Sequence, residues 1–201
     1  MLPAYAELHC LSNFSFLRGA SSPEELAERA RALGYAALAI TDECSVSGAV
    51  RAHFAAKEAG LPLVIGSEFT LIDGTKFVLL ATDRASYGNL TQLITRGRRQ
   101  AKKGTYALSR DDVAAFAAGL LALWIPGKVG SDSTFSPSSA NQDAHHEKSS
   151  LTLLSTARWA AATFPGRAWI AVELFARAGD RARLVRCADL SRESGLPQVA
   201  T

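Results

Sequence analysis

Four side chains of this sequence fall where short apolar segments end, and their types suit one kind of chemistry. His9 closes Ala4 to His9, Asp42 and Glu43 close Tyr35 to Thr41, and Glu68 follows Leu61 to Gly66. One imidazole and three carboxylates gathered on one rim are donors for a hard divalent cation, Mg²⁺ or Mn²⁺, or for Zn²⁺. Each alone is also an ordinary polar strand end, so it is the shared position that gives the set meaning. The other histidines carry less. His53 lies on a predicted helix well past a strand end, as a surface or packing residue does. His145 and His146, followed by Glu147, sit in a Ser/Asn/Asp-rich stretch where adjacent imidazoles need not converge on an ion. Arg96, Arg98, Arg99, Lys102 and Lys103 at the end of another predicted helix offer a nucleic-acid or partner contact. Cations there complement the helix dipole, yet five in eight residues exceed that need, with Tyr106 the one neighbouring aromatic. A Gly-x-Ser-x-Gly elbow, a Walker loop and a Cys-x-x-Cys pair are missing, so acyl transfer, nucleotide hydrolysis and a zinc ribbon lose support.

The elements that must position these groups alternate between short apolar strands and amphipathic helices. Ser21-Ser22-Pro23-Glu24-Glu25 has the hydroxyl, proline and acids of a helix start, and that helix stops at Gly34. Tyr35 to Thr41 reads as a strand buried on both faces. Ser47 to Ala59 is a helix, Leu61 to Gly66 a strand, and Phe69 to Ile72 with Lys76 to Ala81 flank the hairpin signal Asp73-Gly74. Ser86 to Gln100 is a helix, and Ser109 caps another. Gly119 to Ile125 and Arg167 to Leu174 are strands, Ser149 to Thr163 and Gly179 to Ser194 helices, and Leu196 to Ala200 a last strand. Repeated βα units with little antiparallel content predict a parallel sheet covered by helices, closed or open. The site then gathers at the carboxyl ends of the strands.

Composition narrows the rest. The 201 residues are 48% hydrophobic, 20% charged and 8% aromatic, with 15 Gly and 7 Pro, which is a globular balance. Twenty-two basic against 19 acidic side chains leave +3, too little to diagnose a nucleic-acid binder. Three irregularly spaced cysteines fit a reducing compartment; Cys10 and Cys44 read as small apolar packing residues. No secretory signal or spanning segment is visible, so a cytoplasmic protein is expected.

His9-Cys10-Leu11-Ser12, Ile40-Thr41-Asp42-Glu43 and Gly66-Ser67-Glu68 resemble motifs of the polymerase and histidinol phosphatase (PHP) domain. More closely, Glu7 to Ala20, Ala36 to Ser45 and Arg96 to Gly104 are similar to bacterial error-prone polymerases related to the DNA polymerase III alpha subunit, the translesion enzymes of the damage-induced mutasome. The resemblance covers essentially the whole chain and weakens through Pro126 to Lys148. It implies an α/β fold, a distorted (β/α)7 PHP-type barrel over 1–201, truncated at its C-terminal end, with an irregular loop at 126–148. The polymerase core, which performs nucleotidyl transfer, would lie beyond Thr201. Implied partners are that core and, through the parent protein, mutasome proteins and the sliding clamp; DNA contact fits the basic cluster, and no membrane is involved.

The departures set the functional expectation. The family's opening His-x-His is His9 and Leu11 here, its Asp-His is Asp42-Glu43, and its final Asp and His would follow Thr201. His9, Asp42, Glu43 and Glu68 are therefore expected to be vestigial metal ligands, with no catalytic residue and no cofactor, or at most weakly bound Mg, Mn or Zn. The expected role is a degenerate, non-catalytic scaffold or interaction domain. The rival is a metal-dependent phosphoesterase or 3′→5′ exonuclease.

Overall fold

The computed structural model describes residues 4–127 and 142–201, with side chains described from 151 onward in the second segment. In chain order the elements are β1 (Ala6–Cys10), α1 (Pro23–Ala32), β2 (Ala37–Ile40), α2 (Ala49–Ala59), β3 (Leu63–Thr70), β4 (Lys76–Ala81), α3 (Arg84–Arg99), α4 (Arg110–Ala115), β5 (Leu120–Ile125), α5 (Gln142–Thr163), β6 (Ala168–Val172), α6 (Asp180–Ser194) and β7 (Gln198–Ala200). The helix starts follow the predicted chemistry. Ser22 and Ser109 each close a capping box, with Glu25 and Asp112 as the reciprocal partners, and Asp83 does the same for α3 with Ser86.

The strands form one seven-stranded sheet in sequential order. Its curl is visible in the inner core, where Leu8, Ala39, Val64, Val78, Leu123, Ala171 and Val199 bring one side chain from each strand into a single cluster. Thr201 reaches across the open seam. Its hydroxyl donates to Glu7 Oε1 at 2.9 Å and accepts the Leu8 backbone N–H at 3.2 Å. This is a distorted, barrel-like sheet, with helices packed on the outside. Leu38 and Ile40 meet Ala27 and Ala30 of α1 and Ala52 and Ala56 of α2. Phe69, Phe77, Trp124 and Ile170 meet the inner faces of the remaining helices.

Three expectations change. The sheet is not uniformly parallel, because β4 runs antiparallel to both β3 and β5. The predicted pieces Leu61 to Gly66 and Phe69 to Ile72 are one strand, β3, which pairs with β2 through Ile65 and with β4 from Gly66 onward. Gly66 marks that changeover. A Cβ there would come within 2.7 Å of the Leu79 carbonyl, so the glycine records a close approach of β4 and not a strand end. Glu68 is consequently an internal, fully buried strand residue. Finally, α5 begins at Gln142 and not Ser149, so the last seven residues of the stretch expected as an irregular loop at 126–148 are helical. Gln142 to Lys148 contain no glycine or proline to stop a helix. The side chains of His145 and His146 lie outside the described residues.

Candidate functional site

The carboxyl ends of six strands share one rim, and reversal of β4 adds the first residue of that strand, Lys76, to it. The rim surrounds a cleft of about 500 Å³ lined in part by His9, Leu11, Arg18, Glu68, Lys76 and Glu173. A β-bulge between Glu7 and Cys10 gives β1 one residue more than β2 over the same stretch. That extra residue re-aims the strand, so Leu8 fills the barrel interior while His9 reaches the rim.

His9 stands between two carboxylates. Nε2 lies 2.8 Å from Glu68 Oε2 and Nδ1 lies 2.5 Å from Glu173 Oε1. Burial by itself would lower the imidazole pKa, but the hydrogen bonds and charges of Glu173 and Glu68 win and raise it to about 9. At neutral pH His9 is therefore an imidazolium donating from both nitrogens. A metal binding there would have to displace one of those protons.

Glu68 is the centre of the network. Its Oε2 accepts from His9 and from Arg18 Nη2 at 3.1 Å, and its Oε1 from Arg18 Nη1 and from Lys76 Nζ at 3.4 Å. Burial opposes ionisation, yet the hydrogen bonds from His9 and Arg18 and the charge of Lys76 hold the carboxyl well below the usual carboxylate range. An ionised carboxylate has about four acceptor sites. Here all four are taken, and by three cationic side chains.

Asp42 and Glu43 diverge. Asp42 Oδ1 accepts from Ser12 N–H at 2.9 Å and Ser15 Oγ at 2.7 Å, and Oδ2 accepts from Ser12 Oγ at 2.7 Å. Fully buried, it is the anchor of the β1–α1 loop, its oxygens taken by Ser12 and Ser15. Glu43 Oε2 accepts from Arg18 Nη1 at 2.8 Å, and Oε1 from the Tyr106 hydroxyl at 2.9 Å. Two of the four predicted ligands, His9 and Glu68, thus meet directly, Glu43 joins through Arg18, and Asp42 serves the loop. Among the described residues no group of three or more His, Cys, Asp or Glu side chains forms a metal-binding set. The donors are spent on internal cations, and the arrangement does not fit a metal cluster.

The basic cluster also divides. Arg96 pairs with Asp112 at 2.5 Å. Arg98 donates to the Glu43 and Cys44 carbonyls at 3.2 and 3.1 Å and stacks 5.4 Å from the Tyr106 ring centre, so it braces the β2–α2 loop. Arg99, Lys102 and Lys103 remain exposed. His53 is exposed on α2, against Phe54. Cys44 is buried in the main core, and burial pushes its thiol pKa up to about 11. Arg18, Lys76 and Glu173 were not singled out from sequence. Glu173 carried the same signal as His9, a polar residue closing an apolar strand. Lys76 follows from the hairpin once its reversal is traced to the rim.

The PHP domain family matches residues 7–157. The chain belongs to the PHP domain family. Among curated proteins, this PHP domain is 51% identical over its whole length to an error-prone DNA polymerase of Dechloromonas aromatica and 49% identical over 99% of its length to one of Pseudomonas aeruginosa. It spans only 18% and 17% of those two proteins. Its fold is shared with a proposed metal-dependent phosphoesterase of Bifidobacterium adolescentis at a TM-score of 0.62 and 18% identity, covering 98% of this chain and 87% of that one. An amidohydrolase of Chromobacterium violaceum gives 0.60 at 18% identity, covering 98% and 88%. Among the described residues of this PHP domain, no helix is long and apolar enough to cross a membrane.

Proposed function

We propose that this chain is the N-terminal PHP domain of an error-prone, damage-induced translesion DNA polymerase, and that it acts as a non-catalytic scaffold. The domain extends over 1–201, and the polymerase core that performs nucleotidyl transfer belongs to the same polypeptide. Mutasome proteins and the sliding clamp are reached through that parent protein, in the cytoplasm. The observation that carries the scaffold reading is the saturation of Glu68 by His9, Arg18 and Lys76. A metal-bound hydroxide, the nucleophile that a metal-dependent phosphoesterase would need, requires concentrated positive charge and free donors. Here the donors already neutralise protein cations.

Large apolar side chains around the same mouth support a packing role. Phe16, Leu17 and Ile72 are 83%, 90% and 72% exposed, a surface that a second domain would cover. The exposed trio Arg99, Lys102 and Lys103 is a docking patch for an acidic surface of a partner. The deciding experiment is metal analysis of the purified protein with a phosphodiester hydrolysis assay in Mn²⁺ and Zn²⁺. The scaffold reading expects neither stoichiometric metal nor turnover. Metal with turnover, abolished by His9→Ala, would establish the phosphoesterase or exonuclease instead.

A further inference from the structure

On the lip of the cleft, outside the ion network, an exposed aromatic ring lies against two arginines. Phe175 lies in the β6–α6 connection and is 56% exposed. The Arg177 guanidinium carbon sits 5.5 Å from its ring centre and that of Arg183 5.9 Å. Among the described residues, the ion pair on α6 is Arg192 with Asp189; Arg177, Arg181, Arg183 and Arg186 take part in none. The connection is held in place. Asp180 Oδ2 accepts the backbone N–H groups of Phe175 at 2.9 Å and Arg177 at 3.0 Å, and Ala176 between them has a left-handed φ of 54°. A phenylalanine fixed in water by its own loop contributes nothing to the core, and its preorganisation lowers the cost of receiving a ligand.

The electrostatics of the cleft point the same way. Glu68 is buried and Glu173 nearly so, both bound to His9, whereas Arg18 and Lys76 keep about a third of their side-chain surface in solvent at 34% and 32%. Arg18 and Lys76 thus bring positive charge to the mouth, beside Glu43, whose side chain is 29% exposed. We infer that the Phe175–Arg177–Arg183 lip binds a single-stranded nucleic acid, with an unpaired base stacked on Phe175 and its flanking phosphates on the two guanidinium groups. A duplex hides its base faces, so a protruding ring selects single strands, while the arginines supply the sequence-independent part of the affinity. Binding there needs no hydrolysis and is independent of whether the domain is a scaffold.

The test is fluorescence anisotropy of a fluorescein-labelled 15-nucleotide oligo-dT with the 201-residue chain at low salt, beside a duplex of equal length. Phe175→Ala should weaken oligo-dT binding at least about fivefold and leave duplex binding unchanged, as expected for loss of one stacked base. Arg177→Glu with Arg183→Glu should flatten the log Kd against log salt slope by about 1.4, two single-strand phosphates. Both sites are at the surface, and unchanged circular dichroism spectra establish that the variants fold. Charge reversal at Arg99, Lys102 and Lys103 should have little effect. No binding, equal loss on oligo-dT and duplex, loss confined to the Arg99 triple variant, or competition by polyglutamate as strong as by unlabelled oligo-dT would each overturn the inference.

Discussion

Arg18→Ala removes one of three cations from a carboxylate with no solvent exposure. Deleting one partner of a fully buried ion pair costs about 3–5 kcal/mol. Arg18 is 34% exposed and Lys76 and His9 remain on Glu68, so water and the remaining partners recover part of that loss. The expected destabilisation is about 1–3 kcal/mol at pH 7. For a domain of this size that lowers Tm by roughly 2–12 °C. Urea unfolding of wild type, Arg18→Ala, Glu68→Gln and the double variant apportions the effect, because a neutral amide no longer needs the guanidinium. The loss from Arg18→Ala should shrink by about 1 kcal/mol or more in the Glu68→Gln background. The Glu68 pKa is depressed, so its stabilisation is present above the ordinary carboxyl pKa of 4.5 and fades as pH falls below it. The gap between wild type and Arg18→Ala should therefore narrow in acid. An Arg18→Ala variant within about 0.5 kcal/mol of wild type at pH 7 would refute the network. So would an equal loss in both backgrounds.

Further outcomes follow from the same geometry. The His9 pKa is raised from 6.5 to about 9, so its stabilisation is complete below 6.5 and is lost as pH climbs through 9. That gap corresponds to on the order of 3 kcal/mol, measurable by urea unfolding at pH 6 and pH 9.5. His9→Asn should flatten the dependence across that window, and an unchanged profile would contradict the charged-imidazole assignment. Leu11→His alone should not create stoichiometric Mn²⁺ or Zn²⁺ binding in calorimetry, because Glu68 stays saturated; Leu11→His with Arg18→Asp should gain it. Gly19→Ala would place a Cβ 1.9 Å from the Ser12 carbonyl oxygen, displacing the loop that carries Arg18. A loss of about 2 kcal/mol or more by urea unfolding is expected, and a neutral effect would disprove that close approach.

Much of the frame was legible because its signals are local. Asp73-Gly74 fixed the hairpin, and the bounds of β4 are those read for its second strand, Lys76 to Ala81. Ser22 and Ser109 marked helix starts through hydroxyl chemistry within four residues. Gly66 misled, since a glycine inside a strand and one at its end look alike until the neighbouring strand is placed. The site was half legible. His9 and Glu68 do meet, but Asp42 does not join them because Ser12 and Ser15 take its oxygens, a contact spanning about thirty residues of sequence. The inward reach of Arg98 depends on where α3 docks over the β2–α2 loop, which periodicity does not encode. Arg18 lies inside the Glu7 to Ala20 segment, but nothing local says that its guanidinium will find two carboxylates, one on β3 and one in the β2–α2 loop.

The balance of charge at the barrel mouth makes the site resistant to piecemeal change. Three carboxylates, Glu43, Glu68 and Glu173, face three positive groups, Arg18, Lys76 and protonated His9. Any single change to this set is costly in one direction or the other. A divalent ion added to the intact set brings two surplus charges into a poorly solvated pocket, and a cation deleted first leaves an anion stranded. Exchanging the internal ions for an external one therefore takes at least two coordinated substitutions, each costly when made alone.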